Sequence, residues 1–62
     1  MSDEDRRTAE AMIQHGGSFV KALGEAALKA DDLNLSIIKS SFAVYWAHFA
    51  KIGERADELM QN

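Results

Sequence analysis

Serine hydroxyls and histidine imidazoles are the side chains from which this sequence could assemble a nucleophile and its base. The chain carries His15 and His48, with serines at positions 18, 36, 40 and 41. Hydrolases present such a serine on a strand-to-helix elbow framed by glycines, and none of these serines stands in that context. We therefore expect the serines to cap or line helices, and we predict no catalytic residue and no enzymatic activity.

Metal binding would have to rely on carboxylates, because the chain has no cysteine and only two histidines. The adjacent pair Asp31 and Asp32 could approach a divalent cation. It lacks the several oxygen ligands that a calcium loop supplies. Capping of a helix is the favoured role for this pair, and we predict no metal and no cofactor.

The stretch His15-Gly16-Gly17-Ser18 has some features of an anion-binding site. Glycines at a helix start can hold an anion on their backbone amides, and Lys21 follows one turn later. The spacing fits neither a P-loop nor a dinucleotide fingerprint. Two interpretations of this stretch stay open. Either Gly16, Gly17, Ser18 and Lys21 bind an anion, or the stretch is a simple turn between two helices. The anion interpretation supports our alternative function, a protein that binds or sequesters a nucleotide-like small ligand.

Composition narrows the class of protein. The 62 residues include no proline and show no strand alternation bounded by turns, so we predict an all-α fold in one domain spanning 1–62. No apolar run approaches the roughly 18–20 residues of a membrane span, and the acidic start Met-Ser-Asp-Glu-Asp differs from a signal peptide. The net charge of −3 disfavours nucleic acid and anionic membranes as partners. We expect a cytoplasmic protein.

Capping residues and glycines divide the chain into three predicted helices, at about 3–14, 19–30 and 33–60. Ser2 and Ser18 are the predicted N-caps of the first two helices, and either Asp31 or Asp32 caps the third. Glycine after His15 is expected to end the first helix in the left-handed conformation. Gly24 lies inside the second helix, where we expect a neighbouring helix to approach closely.

The third helix carries an apolar seam at alternating spacings of three and four, which is the a/d pattern of a heptad. A helix over 33–60 would be about 42 Å long, with Ser40-Ser41 as its weakest point, where it could kink. We predict two short N-terminal helices that together match this length and pack on the long C-terminal helix. The seam consists of Leu35, Ile38, Phe42, Tyr45, Phe49, Ile52, Ala56 and Leu59, with Trp46, Gly53 and Met60 on the same broad face.

A second apolar stripe lies nearly opposite the seam on the helical projection, at Leu33, Ile37 and Val44. A surface helix normally hides one face only, so we expect the second face to contact another copy of the chain or a partner. Isolated exposed apolar residues are the competing explanation. Small domains often need oligomerisation for stability, so we predict a helical-bundle oligomer. The predicted interface residues are Leu33, Ile37, Val44, Tyr45, Trp46 and His48.

Three parts of the sequence carry a resemblance: the run from His15 to Leu23, the residues Ala30-Asp31-Asp32, and the spaced residues Ile38, Phe42 and Tyr45-Trp46. Together they resemble a group of short phage and prophage proteins. The resemblance covers about residues 9–49, and the group has no agreed activity. It implies a phage origin and action inside a bacterial cell. We therefore predict a small non-enzymatic interaction protein that self-associates and binds a host or phage protein. It would act as an inhibitor or adaptor of that protein, with counter-defence as one such role.

Overall fold

The structure, a computed structural model, describes the backbone of residues 1–60 and the side chains of residues 1–56. Four helices follow one another: α1 (Asp3–His15), α2 (Ser18–Lys29), α3 (Asp32–Ser41) and α4 (Ala43–Met60). Residues 1–60 contain no strand, which confirms the all-α class. Leu59 of the predicted seam and Met60 of the same broad face lie outside the described side chains.

Helix α1 begins as predicted and ends differently. The Ser2 hydroxyl accepts a hydrogen bond from the Asp5 N–H at 3.1 Å, which confirms Ser2 as the N-cap. At the other end Gly16 has φ −80° and ψ 161°, so the predicted left-handed cap is wrong. A Cβ on Gly16 would lie 2.6 Å from the Met12 carbonyl oxygen and 2.7 Å from a Val20 methyl carbon. Glycine is therefore required here by close packing between α1 and α2.

Helix α2 begins one residue earlier than predicted. Gly17 is its N-cap, and Ser18 is the first residue of the helix, so the prediction that Ser18 caps α2 is wrong. The close approach at Gly24 is confirmed. A Cβ there would lie 2.7 Å from the Ala9 carbonyl oxygen and 3.0 Å from the Met12 Cβ.

The core forms around α1, which packs against α2 on one side and α4 on the other. Gly53 brings α4 close to α1, since a Cβ at this position would lie 2.9 Å from the Arg7 carbonyl oxygen. The one buried polar side chain among the described residues is Thr8, whose hydroxyl donates to the Glu4 carbonyl oxygen at 3.0 Å. The buried apolar residues are Ala9, Ala11, Met12, Val20, Ala27, Leu35, Trp46 and Phe49.

The segment predicted as one helix over 33–60 is two helices in this single chain, because the helix is interrupted at Phe42. The predicted weak point at Ser40-Ser41 lies next to the break. The Asp31 carboxylate accepts a hydrogen bond from the Asn34 N–H at 2.8 Å and so caps α3. Asp31 is one of the two residues predicted for this role. Phe42 takes φ −120° and ψ 42°, outside the helical region.

The arrangement of α1 and α2 gives a physical reason for this break. These helices lie side by side, so together they cover about 20 Å of a neighbouring helix. The prediction placed them along the full length of a helix of about 42 Å. Turning the chain at Phe42 brings Leu35 of α3 back into the one core that the hairpin provides.

The break also shifts which residues of α4 face the core. Trp46, Phe49 and Gly53 are buried, whereas the seam residues Tyr45 and Ala56 are exposed. The buried residues of α4 again recur at spacings of three and four. Phe49 belongs to the predicted seam, whereas Trp46 and Gly53 each follow a seam position by one residue. Residues on either side of Phe42 therefore follow two separate helical phases.

Candidate functional site

Three aromatic rings from different elements meet at the surface, and we call Phe19, Phe42 and Tyr45 the aromatic cluster. The Phe19 ring lies 5.8 Å from Phe42 and 6.1 Å from Tyr45, in edge contacts. Phe42 and Tyr45 are 6.5 Å apart. Phe19 is 55% exposed and Tyr45 is 42% exposed. The cluster is thus an assembled aromatic surface that is still open to solvent.

The sequence prediction missed Phe19 as a surface residue. Phe19 is one of several apolar residues of α2, and nothing in the sequence distinguishes it from those that face the core. The structure places it beside Phe42 because α2 and α3 are joined by a short turn and run antiparallel. Pairing the first apolar residue of α2 with the aromatic residue that follows α3 would have indicated this contact.

The predicted stripe is on the surface. We call Leu33, Ile37 and Val44 the apolar stripe, and their exposed fractions are 70%, 52% and 83%. Ile37 also lines a shallow groove between α2 and α3, together with Ala26, Ala30 and Ile38. Whether a second copy or another protein covers these residues stays a prediction.

The two remaining predicted interface residues have different positions. His48 is exposed and its ring makes an edge contact with Phe49, with centroids 4.9 Å apart. Trp46 is only 8% exposed in the single chain and belongs to its core, so a contact of Trp46 with another chain stays a prediction. The phase shift at Phe42 turns Trp46 into the core and leaves Tyr45 outside.

Charge is distributed unevenly around these surfaces. The whole chain has a net charge of −3, yet residues 33–53 contain no Asp or Glu. Two lysines fall in this segment. Lys39 is paired with Asp5 at 3.0 Å, and Lys51 is exposed. Phe42, Tyr45 and the apolar stripe therefore belong to a segment without carboxylates in an acidic protein.

The predicted anion site consists of residues at the turn between α1 and α2. Gly17 has open space around its Cα and caps α2 without a side-chain hydrogen bond, and Lys21 is exposed. The adjacent Gly16 is accounted for by packing against Met12 and Val20. Anion binding by Gly16, Gly17, Ser18 and Lys21 stays a prediction.

The polar residues first considered for chemistry have structural roles where the structure gives their contacts. Ser40 donates to the Ser36 carbonyl oxygen at 2.8 Å, and the Asp31 carboxylate caps α3. Among the described residues, no three His, Cys, Asp or Glu side chains come together as a metal site. No described helix is both long enough and apolar enough to cross a membrane.

Comparisons with protein-family models, curated proteins and solved structures find no match to this chain. The exposed aromatic and aliphatic surface is the most distinctive part of the candidate site.

Proposed function

We propose that this chain is a small binding protein without catalytic activity, which self-associates and holds a protein of a bacterial host or of a phage. It acts in the bacterial cytoplasm as an inhibitor or adaptor of that protein, with counter-defence as one such role. The aromatic cluster is the surface that contacts the partner. The observation that carries the proposal is the exposure of Phe19 and Tyr45 within an already assembled cluster.

Aromatic rings held in this way are well suited to binding. Phe and Tyr provide large contact areas, and tyrosine is enriched among the residues that dominate interface energies. The mutual edge contacts of Phe19, Phe42 and Tyr45 restrict their rotamers before a partner arrives. Less side-chain entropy is then lost on binding.

The surrounding charge indicates the chemistry of the partner. Because residues 33–53 have no carboxylate and carry Lys51 as an exposed cation, an apolar segment bordered by acidic residues is the complementary surface. Such a partner would bury the rings of the aromatic cluster.

The test compares two exposed apolar residues on opposite sides of α2. Phe19→Ser removes a ring of the cluster, and Leu28→Ser removes a side chain that is 43% exposed on the other side of the helix. Each tagged variant and the wild type are used to capture proteins from lysates of bacterial cells, with and without phage infection. Circular dichroism first establishes that all three are equally helical.

We expect one protein to be captured by the wild type and by Leu28→Ser, and to be reduced at least tenfold with Phe19→Ser. The same protein, purified, should bind the wild type directly in calorimetry and bind Phe19→Ser at least tenfold more weakly. Equal capture by all three proteins, or no direct binding by the purified candidate, would exclude the aromatic cluster as the binding surface.

A further inference from the structure

Two features of the chain point beyond a single copy, namely the break at Phe42, which no proline or glycine forces, and the exposed apolar stripe. We propose that both serve a dimer in which α3 and α4 join into one straight helix and two copies exchange their α4 helices. The inference rests on the proposed self-association and identifies its mechanism. The binding partner in this case is a second copy of this chain.

The backbone around Phe42 is nearly helical already. The Phe42 N–H donates to the Ile38 carbonyl at 3.0 Å, and the Trp46 N–H donates to the Phe42 carbonyl at 2.9 Å. Both bonds have the i to i−4 pattern of an α-helix. Residues 33–52 contain neither proline nor glycine, so no residue forces the break. Straightening requires Phe42 to leave φ −120° and ψ 42° for helical values, with small adjustments nearby.

The length of a straight helix calls for a second copy. A helix from Asp32 to Met60 would span about 43 Å, whereas the longest dimension of the single chain is 34 Å. The α1–α2 hairpin covers about 20 Å, so one hairpin buries only half of that helix. Trp46 and Phe49 lie in the other half of the straight helix, so they would lose their packing against α1.

Exchange of α4 removes this conflict. The α4 of each copy would pack on the α1 of the other, with Gly53 against the partner's backbone as it now lies against Arg7. α3 stays on its own hairpin, where Lys39 keeps its ion pair with Asp5. Each half of the dimer then repeats the core of the single chain, as expected when identical elements are exchanged.

The stripe adds a contact that only the dimer has. In a straight helix, Leu33, Ile37 and Val44 share one face with Ser40, Ser41 and His48. If two such helices cross antiparallel with the twofold axis between Ser40 and Ser41, Ile37 lies opposite Val44 of the other copy. Leu33 then lies opposite His48, and the small serines allow close approach. A twofold interface requires this kind of reciprocal pairing.

Proline at position 43 separates the straight helix from the broken one. Ala43 is the first residue of α4, where proline is tolerated, but in a straight helix it would be an interior residue. Asp3→Pro is the matched control, because Asp3 is the first residue of α1. Sedimentation is measured from micromolar to millimolar concentration, with helix content followed by circular dichroism.

We expect the wild type and Asp3→Pro to dimerise, and Ala43→Pro to remain a helical monomer with a dimer Kd raised at least about a hundredfold. Dimerisation of Ala43→Pro at the wild-type Kd would overturn the straight-helix mechanism and leave self-association intact. A wild type that stays monomeric throughout would overturn self-association as well.

A cross-linking measurement tests the exchange directly, even if a proline variant fails to fold. Gln14 and Ala56 line one concavity between α1 and α4, and the chain has no native cysteine. The double variant Gln14→Cys, Ala56→Cys is treated with a short bismaleimide after the dimer has been isolated. Links between chains, at twice 6.9 kDa on a denaturing gel, are the expected result. Links within single chains would overturn the exchange.

Discussion

The hairpin of α1 and α2 and the short helix α3 differ in how closely the backbone approaches its neighbours. At Gly24 and at Gly53 the absence of a side chain lets two helices meet almost backbone to backbone. In α3 only Leu35 is buried, and an ion pair at 3.0 Å links the helix to α1. Elements with few buried contacts open at low free-energy cost. The contrast suggests a fixed unit around α1 and an attached helix whose position is easier to change.

The largest expected effect compares two aromatic residues of α4. Phe49→Ala empties a core site that is 8% exposed and should lower the free energy of unfolding by about 3–5 kcal/mol. Tyr45→Ala, at a ring that is 42% exposed, should cost about 1 kcal/mol. Urea unfolding followed by circular dichroism measures both. Equal losses would show that α4 has no preferred face toward α1.

A smaller effect is expected where α2 approaches α1. Gly24→Val places a branched side chain against the Ala9 carbonyl and should destabilise the protein by about 3 kcal/mol through overpacking. Ala22→Val is the control, since it adds the same side-chain shape at an exposed position of the same helix. It should change stability by about 0.5 kcal/mol. A Gly24→Val variant as stable as this control would contradict the close contact.

The smallest effect concerns the attachment of α3. The Lys39 and Asp5 side chains are 41% and 18% exposed, so their ion pair should contribute only about 0.5 kcal/mol. A double-mutant cycle with Lys39→Met and Asp5→Asn isolates this coupling energy, and added salt should reduce it. A coupling above about 2 kcal/mol would place α3 among the tightly held elements and remove the contrast with α1 and α2.

Much of the local structure could be predicted from the sequence. The bounds of α1 and α2 are predicted to within one residue, although the Ser18 cap and the left-handed glycine are wrong. The Ser2 cap, Asp31 as one of two alternative caps and the close approach at Gly24 follow from residue types that have a specific backbone role. The caps depend on hydrogen bonds between residues close in sequence. The close approach is indicated by the free-energy cost of a glycine inside a helix, which a neighbouring helix packed against it can offset.

The break at Phe42 could not be predicted in this way. Neither proline nor glycine marks it, and the apolar spacing runs through it without interruption. The break depends on how much helix the hairpin can cover, which is a property of tertiary packing. The aromatic cluster depends on the same turn, so the candidate site could be predicted only in part, through the exposure of Leu33, Ile37 and Val44.

The position of Gly53 against Arg7 has a consequence for the kinetics of folding. This contact joins opposite ends of the sequence, whereas the contacts of the hairpin close across the short turn at Gly16 and Gly17. Local contacts form first, so we expect α1 and α2 to pair before α4 arrives. During that interval the open side of α1 can accept the α4 of its own chain or of a neighbour. The protein concentration during refolding should therefore set the initial ratio of monomer to dimer, before equilibrium is reached.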